Sequence, residues 1–291
     1  MQLAIGMVLV LGGVFGGFVL HGGAMSSIWQ PTEMLIMAGA AVGSLVMGNP
    51  RSVLSEMGGQ IRNVIARKDN RREFQRELLL MLYELLETIR DGGLKSLDQH
   101  VDEPQQSELF RKYPNVLGRP RLISFVVDNF RLMAMGRITQ HELEGMLDLE
   151  LEAIEDDLMQ PSRSLSKIAE AMPGFGILAA VLGIVTTMAN IDDDVSMIGV
   201  RVAAAMVGTF LGILMCYGVM APLVSAMEHR VKSDMSAFEC VKVVLCAQVA
   251  GKPILLAVDA GRKLIQLDVK PSFARLETWI AEMGQIPESQ Q

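Results

Sequence analysis

Two prolines and a threonine are the residues of this sequence whose types and positions could support chemistry inside a membrane. Pro173 and Pro222 each lie in a long apolar stretch without a charged residue, residues 171–190 and residues 202–227. A proline within a helix removes a backbone donor, and the carbonyl oxygens that it frees can form a hinge or a polar site. The alternatives are a passive kink or, for Pro173, a helix start. The hydroxyl of Thr209 either joins such a site or bonds back to its own helix.

A second group of candidate residues surrounds a pair of glycines. Arg90, Lys95 and Asp98 bracket the Gly92-Gly93 pair, where a helix is expected to end. Charged side chains at such a break form either a solvated helix edge or a contact surface for a partner. The sequence by itself favours the solvated edge.

Enzyme chemistry is not expected. The four histidines are scattered, and no Ser/His/Asp set, Cys/His set or pair of neighbouring carboxylates stands out. We therefore predict no catalytic residue, no cofactor and no metal site. The run GGVFGG at residues 12–17 superficially resembles a phosphate loop, but it lacks the Gly-Lys-Ser/Thr ending and lies in an apolar segment.

Small residues at four-residue spacing indicate close helix packing instead. They occur in residues 12–17, at Gly39 and Gly43, and at Gly208 and Gly212. Such spacing lets helix backbones approach each other in lipid. The contact lies either within one subunit or between subunits of an oligomer.

Composition predicts the elements that position these residues. Half of the residues are hydrophobic and only 20% are charged, which indicates a membrane protein with a substantial water-exposed part. Residues 3–20 and 34–48 add two apolar segments, so we predict four transmembrane helices. The predicted fold is an all-α membrane protein with a helical cytoplasmic bundle. Its segments are residues 1–49 (helices 1 and 2), 50–170 (cytoplasmic domain), 171–227 (helices 3 and 4) and 228–291 (cytoplasmic extension and tail).

The distribution of lysine and arginine predicts the orientation. The loops at residues 21–33 and 191–200 contain neither residue, whereas basic side chains follow the second span, precede the third and follow the fourth. The positive-inside rule therefore predicts that both termini and the long middle segment are cytoplasmic. The net charge of −7, without a long basic block, does not favour a nucleic acid partner.

Outside the spans, the apolar periodicity is helical. One apolar stripe runs through residues 71–90, with acidic residues on the opposite side, and the glycine pair ends that helix. Residues 138–158 and 272–283 also read as helices. The apolar pattern of residues 233–250 suggests that the fourth span continues out of the membrane, and the tail after Gly284 is expected to be disordered.

The residues also resemble a known family. Five motifs carry the resemblance: AMVGTFLGIL at residues 205–214, PGFGI at 173–177, AGRK at 260–263, GGVFGG at 12–17 and QPTE at 30–33. Each motif is weak alone, but together they are similar to the MotA family of flagellar motor stator subunits. The similarity covers nearly the whole chain and includes the four-span topology.

The resemblance implies a torque generator in the bacterial inner membrane. In such a unit a pentamer of MotA-like chains surrounds a dimer of MotB, a single-span partner with a cell-wall-binding domain. The partner brings the membrane aspartate that binds the ion, which explains why neither proline-bearing span contains an acid. Ion flow is thought to rotate the ring, which pushes on the rotor protein FliG.

The resemblance also implies roles for individual residues in the ion pathway. Pro173 and Pro222 match the two functional prolines of the family. Thr209 matches the threonine that faces the partner's aspartate, and Met206 matches a residue that is linked to proton flow. Sodium-driven relatives tend to have Thr where this sequence has Ala180, so we predict a proton motor, although the loop at residues 190–193 is similar to that of sodium-type members.

Two further positions match the charged rotor contacts of the family. These are Arg90 and Asp98, the latter a shorter version of the usual Glu. Two alternatives to the stator function stay open at this point. One is an ExbB/TolQ-like proton-driven energiser of an envelope complex, which would have three spans and an outside N-terminus. The other is a helical membrane scaffold that conducts no ions.

Overall fold

The computed structural model describes residues 2–66, 70–93, 96, 100, 103–134, 136, 138–189 and 195–284. Those residues are overwhelmingly helical and contain no β-strand, which confirms the all-α prediction. The Cα positions divide the chain into two compact units, residues 1–67 with 157–230 and residues 68–156 with 231–291. These units are defined by packing, so the four segments predicted from the sequence remain a prediction about the membrane.

The first unit contains the apolar helices. Its elements are α1 (Gln2–Leu20), α2 (Met25–Ile28), α3 (Pro31–Gly48), α4 (Arg51–Ala66), the C-terminal part of α9 (Gln140–Met188), α10 (Val195–Ile213), a π-helix (Leu214–Met220) and the N-terminal part of α11 (Ala221–Val249). Four helical stretches are long and apolar enough to cross a membrane, which confirms the predicted number of spans among the described residues.

The third span is the end of one 49-residue helix, α9. A capping box starts this helix: the Thr139 N–H donates to the Glu142 carboxylate at 2.9 Å, and the Glu142 N–H donates to the Thr139 hydroxyl at 3.3 Å. Both Pro161 and Pro173 lie inside α9. The alternative that Pro173 begins a helix is therefore wrong.

The fourth span continues as predicted, but not in one helical register. α10 passes into the π-helix, which passes into α11 without a break. At that junction the Ala221 N–H donates to the Cys216 carbonyl, five residues earlier, instead of four as in an α-helix. The helical run therefore changes its register just before Pro222.

The second unit is built around α5 (Arg71–Gly92). The other elements are α6 (Glu108–Arg111), α7 (Pro114–Leu117), α8 (Pro120–Ala134), α12 (Ile254–Arg262), α13 (Phe273–Gly284), the N-terminal part of α9 and the C-terminal part of α11. Along α5, Leu78, Leu82, Leu85 and Leu86 are fully buried, which confirms the predicted stripe. Helices α7, α12 and α13 all pack against α5.

Two acids on the other side of α5 are covered by a neighbouring segment. Glu77 is buried and accepts a hydrogen bond from the Asn115 N–H at 2.7 Å. Glu84 accepts from the Tyr113 hydroxyl at 2.6 Å and pairs with Lys112 at 2.7 Å. Because buried carboxylates need such partners, these contacts allow α5 to occupy the centre of the unit instead of its surface.

The AGRK motif joins α12 to its neighbours in the second unit. A Cβ at Gly261 would lie 2.8 Å from the Cys240 carbonyl oxygen of α11, so only glycine fits there without movement. The Arg262 side chain pairs with Asp259 at 2.6 Å and donates to the Pro271 carbonyl at 2.8 Å. The motif therefore packs α12 and holds the segment that leads to α13.

Candidate ion pathway between the third and fourth spans

Three glycines bring the backbones of α9 and α10 into direct contact. A Cβ at Gly176 would lie 2.6 Å from the Gly208 carbonyl oxygen, and a Cβ at Gly212 would lie 2.7 Å from the Met172 carbonyl oxygen. These distances are shorter than any real Cβ contact, so the helices cross too closely for an alanine. The Gly208/Gly212 spacing therefore serves packing within one subunit.

The other small-residue positions make no such contact with the described residues of the chain. A Cβ at Gly39 or Gly43 would meet nothing within 4 Å, and the same is true of the glycines in residues 12–17. α1 does touch the fourth span elsewhere, through an edge-to-face contact between Phe15 and Phe210 with ring centroids 6.3 Å apart. The glycine faces of α1 and α3 thus point away from the packing of this single chain.

The crossing places three predicted pathway residues together. Ala180 follows Gly176 by one helical turn and Pro173 precedes it by one turn, so all three share a face of α9. A Cβ at Gly176 would lie 3.2 Å from the Thr209 Cα, which puts Thr209 directly at this face. Ala180 is buried, while Thr209 and Pro173 are half-buried.

The hydroxyl of Thr209 is not used for back-bonding. Thr186 and Thr187, near the end of α9, both donate to the Gly183 carbonyl at 2.8 Å. Thr209 has no hydrogen bond to any residue within the described parts of the chain, so the back-bonding alternative is not realised. Its hydroxyl is therefore available to another molecule.

The remaining two pathway residues are not part of the crossing. Met206 precedes Thr209 by one turn, and 67% of its surface is exposed in this chain. Pro222 is also exposed and lies beyond the π-helix. Since Pro222 has no N–H, a carbonyl of the π-helix loses its donor there. The structure therefore gathers Pro173, Ala180 and Thr209, and leaves Met206 and Pro222 on the outside of the chain.

One functional candidate was missed in the sequence. Glu33 lies in the first turn of α3 and its side chain is buried against α9 and α10. The lack of basic residues in 21–33 predicted that it ends a loop. Pro31 is a signal that could have corrected this, because proline favours the first position of a helix and so places Glu33 inside the second span.

The predicted rotor contact is only partly described. Helix α5 ends at Gly92 and is capped by Gly93, whose φ of 73° suits glycine, as the glycine pair predicted. The exposed Arg90 pairs with Asp91 at 2.8 Å and with Glu87 at 3.4 Å. The hydrogen bond from Arg90 lowers the pKa of the Asp91 carboxyl. Asp98 lies outside the described residues.

Comparison with known proteins identifies the family. The family model "Motility protein A N-terminal" matches residues 4–93, and the MotA/TolQ/ExbB proton channel family matches residues 123–240. Motility protein A of Escherichia coli is 35% identical over 277 residues, which cover 95% of this chain and 94% of that protein. The chain belongs to the MotA family of flagellar stator subunits. The chemotaxis protein LafT of Vibrio parahaemolyticus is 54% identical over 282 residues, with 97% and 99% of the two chains covered.

Solved structures agree with this MotA assignment at the level of the fold. The C. jejuni MotAB structure matches with a TM-score of 0.71 at 16% identity, covering 92% of this chain and 96% of that one. The flagellar MotAB stator complex of Bacillus subtilis matches with a TM-score of 0.65 at 21% identity. The family resemblance is thus confirmed, and the chain is a multi-pass membrane protein of the flagellar stator in a proton channel family.

Proposed function

We propose that this chain conducts protons together with a MotB-like single-span partner and couples their flow across the inner membrane to torque on the rotor protein FliG. The observation that carries the proposal is the crossing of α9 and α10, where the Thr209 hydroxyl, which bonds to none of the described residues, lies beside the face of Pro173 and Ala180. The names of the solved MotAB complexes support the choice of partner.

The mechanism follows from the polar groups on this face. The partner's membrane acid is expected to meet the Thr209 hydroxyl and the carbonyls that are freed near Pro173 and Pro222. Protonation neutralises that acid and so changes these interactions. The transmembrane potential acts on each charge with about 2.3 kcal/mol per 100 mV, which shifts a two-state equilibrium tens-fold per proton.

The assembly is proposed to be a pentamer around a partner dimer, with both termini of each chain cytoplasmic. The exposure of Met206 and Pro222 supports it, because both residues then face the partner or a neighbouring subunit. The open glycine faces of α1 and α3 offer close-packing surfaces of the same kind. The lysine and arginine distribution supports the orientation.

Protons are proposed as the coupling ion because of Ala180. This buried residue presents only a methyl group at the crossing, whereas Na⁺ is a hard ion that prefers oxygen ligands. Proton transfer requires no such ligand cage. Motor speed should therefore be independent of Na⁺ concentration at fixed pH.

The rotor contact is proposed to involve Arg90 and Asp98. The Arg90 guanidinium is exposed, and its ion-pair partners among the described residues are acids of its own helix. Exposed ion pairs are individually weak, so a partner's acid can replace Glu87 or Asp91 without a large barrier. Contacts of this kind form and break repeatedly, as a stepping motor requires.

The proposal can be tested in cells that lack their own stator. Co-expression of the chain with a MotB-like partner should restore swimming and permit proton uptake, and neither should depend on Na⁺. Thr209→Val, which removes the hydroxyl and preserves the shape, should lower both readouts. Thr278→Val is a matched control on α13, where the hydroxyl bonds to the Ala274 carbonyl.

The outcomes separate the competing functions. Proton uptake without swimming would indicate an energiser of the ExbB/TolQ type. An absence of uptake in the unaltered complex would indicate a scaffold. A steep dependence on Na⁺ would contradict the choice of ion that rests on Ala180.

A further inference from the structure

A buried acid lies between the two spans that contain no acid of their own. Glu33, from the second span, is only 7% exposed. Its Oε2 atom is fully buried and has no hydrogen-bond partner within the described ranges of the chain. The crossing that carries the proposed function does not account for this side chain.

Small residues form the notch that receives the carboxyl group. A Cβ at Gly183 would lie 3.1 Å from Glu33 Oε1, and a Cβ at Gly208 would lie 3.3 Å from Oε2. The same Gly183 position would also lie 3.0 Å from the Cβ of Ala205. Larger side chains on α9 and α10 would push the acid out, so the notch is shaped around it.

The notch adjoins the candidate pathway. Gly208 is the neighbour of Thr209, and Gly183 follows Ala180 by one turn of α9. The Glu33 carboxyl therefore lies next to these pathway residues, between Gly208 of α10 and Gly183 of α9, on the side of Ala180 that leads towards the C-terminal end of α9. That end faces outward in the proposed orientation.

Among the described residues of α2, α9 and α10, one charged side chain shares a helix face with this notch. On α10, Arg201 precedes Ala205 by four residues and shares the face that carries Gly208, so it is the charged side chain on that side of the notch. On α9 the residues from Gly176 to Met188 include no titratable side chain, and α2 has none. The carboxyl group thus has an apolar wall on α9, and no ion pair joins it to Arg201 within the described residues.

Burying a carboxylate in this position costs desolvation free energy, and the packing of the notch does not require a carboxylate. A carboxylate withdrawn from water needs a proton, a cation or a full set of donors, and Oε2 has no donor in the described structure. An apolar side chain would fill the notch without that desolvation cost. Ionisable groups within membrane spans typically mark ion pathways or proton relays.

We propose that Glu33 is a second proton-binding carboxyl of the pathway, placed on its outer side. The carboxylate accepts a proton from hydronium, which leaves water and a neutral carboxylic acid. It then gives this proton to water or to the partner's membrane carboxylate beside Thr209, and the Glu33 carboxylate is regenerated. This inference rests on the proposed proton-conducting function.

Infrared spectroscopy of the full chain in liposomes tests whether Glu33 binds a proton, and it does so without a measurement of proton flux. We expect a carbonyl band of a protonated carboxyl that responds to pH and to exchange into D₂O. The band should be missing in Glu33→Gln, which preserves the size of the side chain. It should persist in Glu152→Gln, the same change at an exposed acid of α9. An unchanged band in Glu33→Gln would overturn the inference.

Proton flux through the complex with the partner tests the role. Glu33→Gln should lower flux at least about tenfold and flatten its pH dependence, because general acid–base groups contribute at least this much to proton transfer. Glu33→Asp, which retains the acid, should recover part of the flux and a pH-dependent profile. Unchanged flux and an unchanged pH profile in Glu33→Gln would overturn the inference.

Two further controls keep the outcomes distinct. If the unaltered complex conducts no protons, the proposed function fails, while the infrared band still decides whether Glu33 binds a proton. If Glu33→Gln does not assemble, Gly183→Ala tests instead whether the notch is the proton site, because this variant retains the acid but crowds Oε1. The band should then shift in Gly183→Ala, and an unshifted band would count against the notch as the proton site.

Discussion

The close crossing of α9 and α10 makes a specific prediction for Gly176→Ala. The new Cβ would lie 2.6 Å from the Gly208 carbonyl oxygen, whereas ordinary contact begins at 3.4 Å. The atom that it meets belongs to the backbone and cannot rotate away. The helices must therefore separate by about 0.8 Å, the difference between these two distances.

The expected cost is that of an overpacked core. Such insertions cost about 1–3 kcal/mol, which is roughly a 5- to 150-fold loss in the equilibrium for the crossed arrangement. Gly212→Ala should behave similarly, since its Cβ would lie 2.7 Å from the Met172 carbonyl oxygen. Gly208→Ala should cost less, because its Cβ would lie 3.2 Å from the Gly176 carbonyl oxygen.

Gly174→Ala is the matched control on the same helix. A Cβ at Gly174 would meet nothing within 4 Å. Replacing a helical glycine with alanine stabilises by roughly 0.5–1 kcal/mol when there is space, so this variant should melt at the same temperature or higher.

Thermal unfolding of the detergent-purified chain, followed by size-exclusion chromatography, measures the difference. Swimming speed of the reconstituted motor gives the functional readout. Gly176→Ala should melt earlier than Gly174→Ala and should slow the motor more. Equal melting temperatures for these two variants would refute the reasoning from the crossing.

Two further predictions concern the second unit. Burial raises the pKa of Asp259, but hydrogen bonds from Arg262 and Lys263 outweigh it and hold the pKa below its ordinary value of 3.8. The stabilisation from this carboxylate is complete at pH values above the ordinary pKa and is lost as the pH falls through the lower pKa of the folded protein. Below about pH 4, the melting temperature of Asp259→Asn should therefore depend less on pH than that of the unaltered chain. Arg90→Glu should reduce torque in a bead assay, and a matching charge reversal on the rotor should restore part of that torque. The control Arg72→Glu, at the other end of α5, should have little effect. A lack of rescue would favour a solvated helix edge.

Much of the fold was readable from the sequence because it depends on local rules. Uninterrupted apolar length predicted the four spans, and the 3.6-residue stripe predicted the buried face of α5. The glycine pair predicted the end of α5, since Gly93 takes a backbone conformation that other residues avoid. These properties are set by residues that are neighbours in the chain.

The burial of the acids of α5 could not be predicted from local rules of this kind. The partners of Glu77 and Glu84 are Asn115, Lys112 and Tyr113, and nothing in the local pattern of α5 points to them. An acidic stripe on a helix is solvated or buried depending on which side chains another segment brings to it. That choice is made by tertiary packing.

The candidate ion pathway likewise has features that the sequence predicted and features that only tertiary packing decided. The sequence determined that the proline-bearing spans contain no acid. Its motifs indicated the family, and the roles that they imply for Thr209 and Ala180 stay predictions. The tertiary structure decided that Gly176 and Gly208 cross within one chain and that Glu33 enters the notch beside them. The physical reason is that an approach of two backbones, and the burial of an acid from a third helix, depend on distances between residues far apart in the chain.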